Sequence, residues 1–169
     1  MHTKDKLLKL CYASIFAALI ALCTAYLSIP LPGGIGYVHP GDMLIYLAAS
    51  LLPAPFAIGA AAVGGILADL LAAFPVYIPA TLLSKALAAA AFTNRRARLL
   101  CRRNVVALGI AALSCVGVYF LYEWLLYGVA VAAAGMIFNL LQSTFAAILY
   151  VLVAFLLDKH PTLKQIIKK

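Results

Sequence analysis

Long apolar runs fill the chain, and charged residues rarely interrupt them. Between Leu10 and Leu157 the charged positions are one arginine cluster and four isolated residues, Asp42, Asp69, Lys85 and Glu123. A membrane-spanning helix needs about 20 mostly apolar residues, so the chain has room for about six. The pattern predicts an all-α integral membrane protein. We expect the chain to form a single six-helix domain over residues 1–169, with spans at 7–28, 41–53, 55–73, 79–93, 104–122 and 131–157.

The second predicted span is short for a full crossing. It follows a glycine-rich segment at residues 33–40, and Pro53 and Pro55 make a tight turn after it. We expect this span to start below the outer surface, or to begin as irregular backbone that lines a cavity.

Composition supports a membrane protein and argues against a soluble one. The chain is 66% hydrophobic and 11% charged, whereas globular chains are about 45–50% apolar and about 25% charged. One small core cannot hide this much apolar surface, so the lipid bilayer must cover the rest. We expect no water-soluble catalytic domain.

The basic residues indicate the orientation in the membrane. Lys and Arg outnumber Asp and Glu by 13 to 5, and most fall in three clusters. The clusters are Lys4, Lys6 and Lys9 before the first span, Arg95, Arg96, Arg98, Arg102 and Arg103 in the central loop, and Lys159, Lys164, Lys168 and Lys169 after the last. With six crossings they share one face, and the positive-inside rule places that face and both termini in the cytoplasm. This distribution favours a topology signal over nucleic-acid binding.

Enzyme motifs are absent from the sequence. It contains no H-E-x-x-H, no G-x-S-x-G and no G-x-x-x-x-G-K-[ST] phosphate loop. The three histidines, His2, His39 and His160, are too dispersed to form a metal cluster in the bilayer. We therefore predict a protein that is not an enzyme, binds no metal or cofactor and has no ATPase activity of its own.

Polar residues at similar depth predict an outward-facing cavity. Charged groups in lipid cost several kcal/mol each, which marks them as functional candidates. From the predicted spans, Asp42, Asp69 and Lys85 lie about 2 to 10 Å below the outer surface, and Glu123 lies at the outer end of the fifth span. Asn139 and Gln142, three residues apart, share a face of the sixth.

Such a cavity suits a small polar organic molecule, but two alternatives stay open. Asp69 and Lys85 could simply neutralise each other, and Asn139 and Gln142 could join helices by hydrogen bonds.

Outer aromatic residues and one histidine could add to this site. The aromatic candidates are Tyr37, Tyr77, Tyr122 and Trp124. They could stack on a flat ring or form an interfacial belt. His39 could donate a hydrogen bond to a ligand, or it could cap the second helix.

A stripe of small residues follows the first helix. Its members recur every four residues and are Ala13, Ala17, Ala21 and Ala25. Small residues at this spacing let another helix approach closely, either inside the protein or in a partner.

These features together resemble the substrate-binding S components of energy-coupling factor (ECF) vitamin transporters. The resemblance covers essentially the whole chain. Its most specific parts are the segment from Gly36 to Asp42 (GYVHPGD), the LLP sequence ending at Pro53, the G-x-x-x-D stretch ending at Asp69, and residues 81–85.

The resemblance implies a partnership and a mechanism. An S component captures its ligand from outside, then docks on a transmembrane T component and two cytoplasmic ATPases in the plasma membrane of a prokaryote. The first-helix stripe would be the docking face. The family's ligand positions match Tyr37, His39, Lys85, Glu123, Trp124, Asn139 and Gln142, whereas Asp42, Asp69 and Tyr77 come from their location in this sequence.

The substrate is less defined. Subgroup similarity points to queuine or a related deazapurine, whose amine and ring N–H donors suit carboxylates, and thiamine or a riboflavin-like ligand stays open. Two other functions also stay open. One is a self-contained proton-coupled carrier of a small polar solute, and the other is a non-transporting scaffold.

Overall fold

Six α-helices account for most of the structure, a computed structural model that describes residues 3–30 and 37–160. The helices are α1 (Thr3–Tyr26), α2 (Gly41–Leu51), α3 (Ala54–Leu71), α4 (Ile78–Ala91), α5 (Arg102–Tyr127) and α6 (Val129–Lys159). A short 3₁₀ turn, Pro75–Tyr77, precedes α4. The two-residue strands β1 (Ile29–Pro30) and β2 (Tyr37–Val38) pair antiparallel. Lys164, Lys168 and Lys169 of the third basic cluster lie outside the described residues.

The predicted helices all exist, and α5 is longer than its predicted span. It continues through Glu123 to Tyr127 and ends at Gly128, whose φ of 89° is the left-handed conformation that glycine adopts readily. Glu123 therefore lies about one turn inside the helix rather than at its end.

The six helices fall into two groups by length. Four helices, α1, α3, α5 and α6, are long and apolar enough to cross a membrane. Helix α2 has 11 residues, which gives about 16 Å at 1.5 Å per residue, roughly half of the hydrocarbon thickness. Nearly all of α2 is buried, and it packs against α1, α3, α4 and α6. The short second helix is thus the centre of the bundle rather than part of its lipid-facing wall.

Small residues bring α1 and α3 together. Ala13, Ala17 and Ala21 are buried inside the chain, and Ala25 is partly buried. A β-carbon added at Gly64 of α3 would lie 2.8 Å from the carbonyl oxygen of Ala17. In this structure the small side chains of the stripe pack α1 closely against α3, and docking of the stripe on a partner helix stays a prediction.

The end of the bundle that carries the basic clusters is closed by aromatic rings and by a buried polar network. Tyr46 stacks on Phe92 with ring centroids 5.0 Å apart, and Tyr150 meets Phe92 edge-on at 5.4 Å. The Asn104 side chain, which is fully buried, donates to Ser50 Oγ and to the carbonyl oxygens of Thr93 and Leu99. These hydrogen bonds satisfy backbone carbonyl groups of the α4–α5 loop.

Candidate functional site

A cavity of about 450 Å³ opens at the opposite end of the bundle, next to the β2–α2 junction. Residues from that junction and from α3 to α6 surround it. They are His39, Asp69, Phe74, Tyr77, Lys85, Cys115, Tyr119, Glu123, Val131, Ala134, Gly135, Phe138, Asn139 and Gln142. Its size is within the range of small-molecule sites, about 300–1,000 Å³.

An ion pair lies at the base of the cavity. Lys85 Nζ donates to Asp42 Oδ1 at 2.6 Å, and both side chains are buried. Asp42 is in the first turn of α2, where the unpaired N–H groups of a helix favour a negative charge. Lys85 thus has Asp42 as its partner, and not Asp69 as the alternative interpretation of the sequence supposed.

Gln142 ties the segment between β2 and α2 to this ion pair. The backbone N–H of His39 donates to Gln142 Oε1 at 2.9 Å. Gln142 Nε2 in turn donates to the carbonyl oxygen of His39 at 3.1 Å and to Asp42 Oδ2 at 3.3 Å. One side chain on α6 therefore fixes the position where the loop enters α2.

Burial keeps His39 neutral. Removal of the imidazole from water lowers its pKa to about 4, an effect that the charge of Asp42 opposes and the charge of Lys85 reinforces. At neutral pH the ring therefore has one donor nitrogen and one acceptor nitrogen at the cavity wall.

Two carboxylates in the cavity keep an oxygen without a hydrogen-bond partner. Among the described residues, Asp69 Oδ2 and Glu123 Oε2 are the buried side-chain oxygen or nitrogen atoms in this condition. Glu123 packs closely over Gly135 of α6, where a β-carbon would overlap its carboxylate. Buried polar groups are normally paired, so each of these two residues, both of which line the cavity, has an unused hydrogen-bond acceptor.

Most of the predicted site residues converge here. His39, Asp69, Tyr77, Lys85, Glu123, Asn139 and Gln142 all line the cavity. Asp42 lies behind Lys85, in a smaller cavity of about 50 Å³. The side chain of Tyr37 lies outside the described part of the structure.

Two of the predicted aromatic site residues, Tyr122 and Trp124, are not among the residues that line the cavity. Trp124 is 52% exposed and packs beside Phe120. Tyr122 donates to the carbonyl oxygen of Val76 at 2.5 Å, so it holds the turn before α4.

Aromatic residues that sequence reasoning missed complete the walls. Tyr119 exchanges a 2.7 Å hydrogen bond with Thr81, and its ring lies 6.2 Å from that of Tyr77. Tyr119 precedes Glu123 by four residues, and Phe138 precedes Gln142 by four. That spacing places each pair on one helix face, which is the signal that could have found them.

The arrangement is suited to binding a small molecule. The described residues contain no group of three His, Cys, Asp or Glu side chains placed to hold a metal ion. The cavity instead combines aromatic walls with acceptors at fixed positions, as expected of a site that orients a small flat molecule.

Comparisons with known proteins agree with this architecture. A search of curated proteins gave no match. A solved structure described as "Structure and mechanism of the S component of a bacterial ECF transporter" is similar in fold. Its TM-score is 0.73 at 22% sequence identity, and the match covers 94% of this chain and 98% of that one. The family described as "ECF-type riboflavin transporter, S component" matches residues 4–159. Since that match spans nearly the whole chain, the protein belongs to the family of ECF-type riboflavin transporter S components.

Proposed function

We propose that this chain is a substrate-binding subunit that captures a vitamin-sized heterocycle from outside. The observation that carries the proposal is a cavity of about 450 Å³ lined by Asp69 and Glu123, each of which has one buried oxygen without a hydrogen-bond partner. A ligand with N–H or amine donors would satisfy both, and the aromatic walls at Tyr77, Tyr119 and Phe138 would hold its ring.

The charge balance of the site guides the choice of ligand. The charges of Lys85 and Asp42 offset each other, which leaves the acceptors of Asp69 and Glu123 for the ligand. We propose a deazapurine such as queuine first, because its ring and amine N–H groups are donors. Riboflavin, which the family description names, and thiamine are the next candidates. An anionic ligand such as biotin fits less well.

Import would require partners. We propose that the chain works with a transmembrane T component and two cytoplasmic ATPases in the plasma membrane of a prokaryote. The chain would cross the membrane six times, with the short helices α2 and α4 forming parts of two crossings within the shelter of the longer helices. Both termini and the arginine loop would face the cytoplasm, as the positive-inside rule indicates.

Vesicle reconstitution tests this division of labour. The chain alone, and the chain with a T component and the ATPases, are reconstituted and supplied with radiolabelled queuine, riboflavin or thiamine. We expect binding without accumulation for the chain alone, and ATP-dependent accumulation for the complex. Accumulation by the chain alone under a proton gradient would instead establish the self-contained carrier. If the chain neither binds nor accumulates any of the three compounds, a non-transporting scaffold is the function that is left.

A further inference from the structure

Gln142 lines the ligand cavity, yet its hydrogen-bonding groups are already in use. The residue is buried, at 6% exposure. Its oxygen accepts from the backbone N–H of His39, and its nitrogen donates to the His39 carbonyl oxygen and to Asp42 Oδ2. A primary amide has two N–H donors, and each has an acceptor here. Gln142 therefore has no N–H group left over for a ligand.

These bonds hold the junction between β2 and α2, which consists of His39 and Pro40. Pro40 has no backbone N–H, so the junction has one backbone donor, that of His39, and Gln142 is its acceptor. Next to the junction, Gly41 lies against Thr24 of α1, where an added β-carbon would overlap the threonine hydroxyl. The start of α2 is thus held from α6 by hydrogen bonds and from α1 by close packing.

The partners of Gln142 require an amide in one orientation. One of them, the His39 N–H, is a donor, and the other two, the His39 carbonyl and the Asp42 carboxylate, are acceptors. A carboxylate at position 142 would accept from the N–H group, but its second oxygen would meet two acceptors, one of them charged. Asp42 binds Lys85 through its other oxygen. The amide at position 142 therefore also orients the carboxylate of the buried ion pair.

We propose that Gln142 is a positioning residue, which fixes His39 and the Asp42–Lys85 ion pair in the cavity wall and does not itself bind the ligand. Asn139, one turn earlier on α6, contacts Cys115 of α5 instead. Gln142 acts on ligand affinity through the wall, because a wall that is ordered in advance lowers the entropy cost of binding. The effect on affinity rests on the proposed function, whereas the effect on the junction does not.

Hydrogen–deuterium exchange of the purified full chain, followed by NMR without any ligand, tests the effect on the junction. In the wild type we expect a protected His39 amide, although His39 lies outside the helices and strands. In Gln142→Ala that amide should exchange about tenfold faster or more, because the bonds that hold it are lost. Amides of α3 should keep their wild-type rates. The matched control Asn139→Ala removes an amide from the same face of α6 and should leave His39 exchange unchanged.

Relocation of one charge separates positioning from a direct ligand contact. Gln142→Glu places two carboxylates together and should speed His39 exchange and lower the thermal unfolding midpoint. The double variant D42N/Q142E restores the net charge and lets the amide at position 42 donate to the carboxylate at position 142. It should recover much of the His39 protection and of the unfolding midpoint. Folding of Gln142→Glu only in combination with Asp42→Asn would support the same pairing.

Each variant is then titrated with queuine, riboflavin and thiamine. The compound that binds the wild type should dissociate faster from Gln142→Ala and more slowly again from D42N/Q142E. Wild-type exchange of His39 in Gln142→Ala, or equal acceleration by Asn139→Ala, would overturn the positioning role. Recovered protection in D42N/Q142E without recovered affinity would overturn it in favour of a direct ligand contact. If none of the three compounds binds the wild type, the proposed function fails, and the exchange rates still decide whether Gln142 holds the junction.

Discussion

Under the proposed function, Asp69 and Glu123 would gain most from a bound ligand, because each has a buried oxygen with no partner. We expect Asp69→Asn and Glu123→Gln to lower ligand affinity about 10- to 150-fold, the equivalent of one charged hydrogen bond of about 1.5–3 kcal/mol. The unliganded stability should stay the same or rise slightly, since no existing bond to those oxygens is lost. Isothermal titration gives the affinity. Asp5→Asn, on the first turn of α1, is the matched control.

Substitution of Lys85 or Asp42 should affect the stability of the unliganded protein, because these two side chains already pair with each other. Replacement of Lys85 by Met leaves the Asp42 carboxylate buried beside Gln142, His39 and the helix N-terminus, without the lysine that offsets its charge. We expect a loss of about 3–5 kcal/mol in the free energy of unfolding. The double variant D42N/K85M, which removes both charges, should recover much of the loss. Denaturant unfolding in detergent measures both, and a single variant as stable as the wild type would refute the role of the pair.

His39 should make stability depend on pH. Its pKa is lowered from an ordinary value of 6.5 to about 4, so the unfolded chain takes up a proton at a higher pH than the folded one does. The stabilisation is complete above about pH 6.5, and it declines as the pH falls toward about 4. The slope contributed by one such group is at most about 1.4 kcal/mol per pH unit. His39→Gln should flatten unfolding curves across this window, and an unchanged slope would contradict the assignment.

At the scale of the elements, close contact of α1 with α3 depends on Gly64. A β-carbon there would lie within 2.9 Å of Ala17 and Ile20 atoms, whereas one at Gly59 of the same helix would meet nothing within 4 Å. We expect Gly64→Ala to lower the free energy of unfolding by about 1–3 kcal/mol through overpacking. Gly59→Ala should be neutral or slightly stabilising, because alanine favours the helix over glycine. Equal effects of the two substitutions would show that the helices do not meet at Gly64.

Hydropathy predicted the existence of every helix, but not which faces meet. An apolar run indicates that a segment is shielded from water, but it does not indicate whether lipid or protein covers each face. For that reason the sequence left open whether the alanine stripe packs inside the protein or against a partner. Depth had the same limit, since Asp42 and Asp69 lie at similar heights and only the packing of α2 decides which one reaches Lys85. Likewise, the wall residues Tyr119 and Phe138 are apolar or aromatic residues in an apolar chain and did not stand out.

The whole molecule has two unlike ends. The end that holds the ligand cavity has open space, two carboxylates with one unpartnered oxygen each, and a loop held by Gln142. The other end is closed by stacked rings and by the hydrogen bonds of Asn104 and Asp158. A binding subunit that takes ligand from one side alone needs this asymmetry, because an opening at both ends would let the ligand leak through.

The most direct test is an equilibrium titration of the purified chain, without any partner, against queuine, riboflavin and thiamine. We predict that one of them binds with a dissociation constant in the nanomolar range. At a thousand times that constant, the ligand should stabilise the fold by about 4 kcal/mol. Binding should be lost or strongly weakened in Asp69→Asn and in Glu123→Gln and kept in Asp5→Asn. No stabilisation by any of the three ligands, or tight binding that both cavity variants leave intact, would contradict ligand capture at this site.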